Sequence, residues 1–172
     1  PVGYLPQQPA FRPGFTARET LAYYGSLVGD DEGVAREGLA RVGLEAAADR
    51  PVEALSGGMT RLLGIAQATV GDPPVVVLDE PGSGLDPGMS VHVFEVAAEL
   101  ADEGRGVLLS SHDLELVERN ADRVVVIDRG RIVEAGPPEE ITERRSAPSL
   151  LDAFELAVAG EAGTVELVEG SP

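Results

Sequence analysis

Val75-Val76-Val77-Leu78-Asp79-Glu80-Pro81 is an unbroken aliphatic run that ends abruptly in two carboxylates. A short β-branched run bounded by turn residues reads as a strand buried on both faces, as in parallel sheets. Working outward, Val107-Leu108-Leu109 and Val124-Val125-Val126-Ile127 repeat the pattern, and the segments around 88–103 and 113–120 read as helices. Strand, helix, strand, helix, strand predicts right-handed parallel βαβ units, which place functional loops at the carboxyl ends of the strands. Asp128-Arg129-Gly130-Arg131 followed by Ile132-Val133 predicts a hairpin after the last strand.

The amino-terminal third has a different texture. Thr16-Ala17-Arg18-Glu19 spells a capping box, predicting a helix from Thr16 to about Gly29. Asp30 and Asp31 are suited to cap a second helix with Val34, Leu39 and Val42 on its apolar face, ending at Gly43, and Ala46 to Asp49 can form a last turn before Pro51. Pro137-Pro138 and Arg144 to Pro148 are the expected breaks near the other end, with a terminal helix over Ser149–Ala159.

Composition bounds the function. The chain of 172 residues is 43% hydrophobic and has no apolar run of membrane length. It begins Pro1-Val2, without an initiator methionine or a signal peptide pattern, and is expected to be cut from a longer chain with structure upstream of Pro1. The absence of cysteine excludes disulfides and thiolate metal sites. With 30 acidic residues against 13 basic ones, the formal charge of -17 repels phosphate backbones, so no nucleic-acid partner is expected. All the basic residues are arginine. A salt-rich cytoplasm and codon bias in a GC-rich genome both produce that pattern.

Chemistry is expected where the sheet edge meets polar residues. Asp79 and Glu80 arrive at the carboxyl edge, where anionic ligands and their metal ions bind, although a solvated strand end would look the same in isolation. Leu55-Ser56-Gly57-Gly58-Met59 precedes a helix with Met59, Leu62, Leu63 and Ala66 on one face and Ser56 as N-cap. Paired glycines at a helix start let a backbone approach a phosphate, whereas an ordinary capped core helix explains Ser56 but not the glycines. His112, following a strand, is structural or catalytic.

Together these stretches resemble the ATP-binding cassette family. Gly3-Tyr4-Leu5-Pro6-Gln7 resembles the Q-loop, Leu55 to Gly58 the signature, Val75 to Glu80 the Walker B strand, Gly84-Leu85-Asp86 the D-loop, and Ser110-Ser111-His112-Asp113 the switch-histidine loop. The resemblance implies the carboxyl-terminal part of a P-loop NTPase cassette of α/β class. Its mainly parallel sheet belongs to a partial ATPase domain over 1–136, with a helical subdomain inserted at about 10–70. A carboxyl-terminal extension with a helix follows over 137–172. It implies ATP and magnesium as ligands. Asp79 would hold magnesium, Glu80 would orient or deprotonate the attacking water, His112 would contact the γ-phosphate, and Gln7, or its neighbour Gln8, would sense both. Ser56, Gly57 and Gly58 would serve the nucleotide of a second cassette in a head-to-tail dimer, a homodimer or a pair with a similar cassette, and Asp86 would lie at the dimer seam.

Met59 in place of the commoner Gln, Tyr23-Tyr24, and Ser149-Leu150-Leu151-Asp152-Ala153-Phe154 resemble export-type cassettes that pair with a separate transmembrane permease. Gly82 departs from the usual Thr. The implied location is peripheral, at the cytoplasmic face of the membrane, and the implied activity is ATP hydrolysis coupled to export. A non-transport cassette ATPase and an inactive interaction fragment are the alternatives, the latter because no Gly-x-x-x-x-Gly-Lys-Ser/Thr occurs and the chain has no lysine. The phosphate loop and the adenine-stacking aromatic are expected upstream of Pro1.

Overall fold

The computed structural model describes residues 1–29 and 32–161. The chain divides into two compact units between His112 and Asp113. That division precedes the expected boundary near 136, which falls inside the second unit.

The first unit holds a three-stranded parallel sheet of β1 (Val2–Leu5), β2 (Val75–Leu78) and β3 (Gly106–Leu109), in that spatial order. β1 is an addition to the expected strands, because Gly3 and Pro6 give its short apolar stretch the look of a loop. The expected third parallel strand, Val124–Ile127, is not in this sheet.

Between β1 and β2 lies the helical segment, built as α1 (Ala17–Leu27), α2 (Glu32–Arg41) and α3 (Gly57–Ala68). The Thr16 capping box forms on both sides, with the Glu19 amide donating to Thr16 Oγ1 and the Thr16 amide donating to Glu19 Oε2. The Asp30–Asp31 cap lies outside the described residues. Two 3-10 turns, Glu45–Ala47 and Val52–Ala54, carry the chain to α3. The stretch from Ala48 to Val52 is tied to the chain entering α1, with the Val52 amide on the Phe15 carbonyl at 2.9 Å and the Arg18 amide on the Ala48 carbonyl at 2.9 Å.

The core of this unit joins Leu21 and Leu39 from the helical segment to Leu63 and Ile65 of α3, Leu5, Val76 and Leu78 of the sheet, and Val93 and Leu100 of α4 (Pro87–Asp102). Helix α3 approaches β1 so closely that a Cβ on Gly64 would stand 2.4 Å from Leu5 Cδ1, and one on Gly3 would overlap the Ala68 carbonyl. Only glycine fits at position 3, where the obstacle is backbone, whereas a side chain at position 64 would force Leu5 to move. Burial on both faces, expected from the aliphatic runs, holds for one face alone. Leu5, Val76 and Leu78 are fully buried, whereas Val2, Tyr4 and Leu108 are more than half exposed.

The second unit contains α5 (Leu114–Asn120), an antiparallel hairpin of β4 (Val124–Asp128) and β5 (Arg131–Gly136), α6 (Pro138–Arg145) and α7 (Leu150–Glu161). Turn chemistry decides β4's partner. Arg129 and Gly130 both take positive φ, 47° and 76°, the conformation of a two-residue turn whose twist matches a hairpin. The expected break at Pro137-Pro138 is instead a helix start, since proline is favoured in the first turn, and α6 ends at Ser146 in the left-handed region. Glu134 on β5 binds Arg144 and Arg145 of α6, which together hold its carboxyl below the usual carboxylate range. The expected terminal helix is present as α7, where the Leu150 amide donates to Glu118 of α5 at 3.1 Å.

Candidate functional site

Parallel pairing sets the site. Extending the ladder past its last residues, the Asp79 amide donates to the Leu5 carbonyl at 2.9 Å and the Ser110 amide to the Leu78 carbonyl at 3.0 Å. The loops after β1, β2 and β3 therefore leave the same edge, and they carry Gln7, Asp79 with Glu80, and Ser110 with His112.

Asp79 and Glu80 are both partly buried. Glu80 takes a left-handed backbone conformation, φ 47°, which is uncommon for a residue with a side chain. Its amide donates to Ser110 Oγ at 2.8 Å, and the same hydroxyl donates to Asp79 Oδ1 at 2.8 Å. His112 Nδ1 lies 2.9 Å from Glu80 Oε2, the imidazole being 76% exposed and the carboxylate 23%. The loops after two neighbouring strands, carrying residues 32 positions apart, thus close a chain of polar contacts around two carboxylates.

Beneath them lies Arg61 of α3, a residue that no motif singled out. It is 9% exposed. Nη1 donates to the Gln7 carbonyl and Nη2 donates to the Ser83 carbonyl at 3.3 Å. Burial pulls its pKa below the ordinary arginine value while Asp79 and Glu80 pull it back up, and a guanidinium stays charged throughout. The sequence held one signal: Arg61 is the lone charged residue of an otherwise uncharged helix.

Gln7 and Gln8 are both exposed in the bend after β1. The structure uses the backbone of Gln7, through Arg61, and shows no side-chain hydrogen bond among the described residues that favours one glutamine as sensor.

Ser56 caps α3 as expected, its hydroxyl accepting from the Met59 amide at 3.3 Å. Ser56 and Gly57 are exposed and Gly58 is buried. A Cβ on Gly57 would meet nothing within 4 Å, but one on Gly58 would stand 2.6 Å from Met89 Cγ. Asp86 is exposed and caps α4, accepting from the Met89 amide at 3.1 Å. A local capping role therefore accounts for Asp86 within the chain.

No cluster of three or more metal-binding side chains occurs among the described residues. Magnesium does not require one, because it keeps several waters and takes one or two carboxylates together with substrate phosphates. Asp79 fits that demand, partly buried and oriented through one oxygen by Ser110.

Among the described residues no helix is long and apolar enough to cross a membrane. A family model described as "ABC transporter" matches residues 1–83. Nod factor export ATP-binding protein I of Ralstonia nicotianae is 40% identical over 144 residues, 81% of this chain and 45% of that protein. The linearmycin resistance ATP-binding protein LnrL of Bacillus subtilis is 33% identical over 163 residues, 92% of this chain and 51% of that protein. The chain thus spans about half the length of these relatives. Among solved structures, an ATP-binding subunit of an ABC transporter superposes with a TM-score of 0.76 at 27% identity, covering 90% of this chain and 67% of that one. CbiO1 of Clostridium perfringens, described as part of the ABC transporter complex cbiONQ, gives 0.74 at 28%, covering 82% and 59%. With its parallel sheet, its edge carboxylates and its capped glycine helix, this chain belongs to the ABC transporter ATP-binding family.

Proposed function

We propose that this chain supplies the hydrolytic edge and the signature helix of an ATPase that drives export through a separate membrane permease. The observation that carries this reading is the convergence of Asp79, Glu80 and His112 at one sheet edge, with Glu80 Oε2 held 2.9 Å from His112 Nδ1. Export is supported by the relatives named for Nod factor export and linearmycin resistance.

In this reading Asp79 anchors magnesium, which supplies charge neutralisation at the phosphates when bound. Glu80 takes a proton from the attacking water. With Oε2 engaged by His112, Oε1 is the atom placed to accept it. His112, mostly exposed, reaches toward the γ-phosphate, and Gln7 monitors the same group from the loop after β1. Ser56, Gly57 and Gly58 offer an uncluttered helix start to the nucleotide of a second cassette, and Asp86 lies at that seam. The assembly works at the cytoplasmic face of the membrane, with a permease and a second ATPase subunit as partners. Residues 10–70 act as the helical subdomain that faces the permease.

The test is Glu80→Gln in the complete gene product. Turnover should fall by at least roughly 10²-fold, as expected for loss of a general base, while ATP remains bound in a dimer. Near-normal hydrolysis removes Glu80 from the role. The 172-residue chain by itself should show no measurable Mg-ATP binding by calorimetry. Its edge offers carboxylates, whereas phosphate affinity in this enzyme class rests on glycine-loop amides and a lysine, which are absent from it. Micromolar binding near one equivalent would relocate the phosphate site.

A further inference from the structure

The hydroxyl of Ser110 is the junction of the carboxylate edge. A serine hydroxyl has one proton to give and lone pairs to receive with. Here the proton goes to Asp79 Oδ1 and a lone pair receives the Glu80 amide, both at 2.8 Å. One oxygen therefore fixes the direction of the first carboxylate and the backbone of the second. The second needs holding, because a left-handed conformation at a residue with a side chain persists only where its surroundings enforce it. Ser110 is itself held in place by its own amide on the Leu78 carbonyl, one residue before Asp79.

We infer that Ser110 is a positioning residue for hydrolysis, setting Asp79 and Glu80 in register through its hydroxyl without touching substrate. The inference rests on the reading of Asp79 as magnesium anchor and Glu80 as base. An ordinary strand-end serine would satisfy one neighbour, and its loss would cost stability alone. A junction serine shared by an anchor and a base alters turnover and metal dependence together.

The experiment compares Ser110→Ala and Ser110→Thr in the complete gene product, each in the wild-type and the Glu80→Gln background, with melting temperatures recorded for all. Ser110→Ala should lower kcat roughly 10- to 100-fold, the range typical for residues that orient metal ligands, and should raise the magnesium concentration giving half-maximal rate. Ser110→Thr, which keeps the hydroxyl, should restore both. In the Glu80→Gln background the effect of Ser110→Ala on kcat should be smaller than in the wild type, because the part that acts through Glu80 is already lost, while the raised magnesium requirement, which acts through Asp79, should persist. The inference alone is overturned if Glu80→Gln is inactive and Ser110→Ala retains normal kcat and magnesium dependence. It is equally overturned if Ser110→Ala costs the same factor in both backgrounds. If Ser110→Ala does not fold, a Ser110→Thr protein with the alanine-like loss of kcat overturns it too. Near-normal hydrolysis by Glu80→Gln removes the underlying reading and the inference with it.

Discussion

The sheet edge and the start of α3 both present polar groups to solvent, but they are finished in opposite ways. At the edge every important contact is long-range: Glu80 to Ser110, Ser110 to Asp79 and His112 to Glu80 join residues about thirty positions apart. At the helix start the contact is local, Ser56 to Met59, and the first glycine faces open space. The edge is assembled by the fold of this chain, whereas the helix start is complete as a helix and still open to whatever approaches it. That contrast accords with a cassette whose edge works on its own nucleotide and whose signature works on a partner's.

The largest expected effects separate these two sites by where the damage appears. Asp79→Asn and Ser56→Arg in the complete gene product should each lower hydrolysis by roughly 10²-fold or more, the scale of a misplaced reacting group. Asp79→Asn should also weaken magnesium-dependent nucleotide binding to the isolated monomer, while Ser56→Arg should leave it nearly unchanged. Equal loss of monomer binding in both would erase the distinction.

A smaller effect is expected at Gly57. The methyl group that alanine adds there has no neighbouring atom within 4 Å, so Gly57→Ala should leave the melting temperature unchanged or raise it, the gain in helix propensity being up to about 1 kcal/mol. Hydrolysis should nevertheless fall, by roughly tenfold for about 1.4 kcal/mol of lost transition-state contact. Full activity in a stabilised protein would make α3 an ordinary capped core helix. Gly58→Ala should do the reverse in the fold, costing about 1 kcal/mol or more because the new methyl meets Met89. Gly58→Ala combined with Met89→Ala should recover part of that cost, as read by denaturant melts.

The local half of this contrast is the half legible in sequence. Thr16 with Glu19, Ser56 and the Arg129-Gly130 turn act over three residues or fewer, so spacing alone reveals them. The order of sheet-edge motifs is legible for the same reason, each being a short string at a strand end. The long-range half is not. Arg61 answers to the carbonyls of Gln7 and Ser83, backbone atoms that every residue type supplies, so no letter pattern marks its partners. Ser110 is visible as part of a motif, but its bond to the Glu80 amide depends on a positive φ that the glutamate's identity conceals. Strand β1 stays hidden behind Gly3, whose lack of a side chain serves a packing contact with Ala68. The aliphatic run of β4 looks the same in either sheet type, so it conceals that the strand pairs, among the described residues, with β5 alone, a choice made by the turn after it.

Arg61 can also be viewed as a mechanical part. It is a forked clasp on one side of α3, a single guanidinium that grips the loop after β1 with Nη1 and the loop after Glu80 with Nη2. Five residues separate it from Ser56, about 7.5 Å along the helix axis. A displacement of the Gln7 loop therefore bears on a bond anchored in the same helix that begins at Ser56. One side chain thus ties the carboxylate edge of the sheet to the helix whose exposed start carries Ser56 and Gly57.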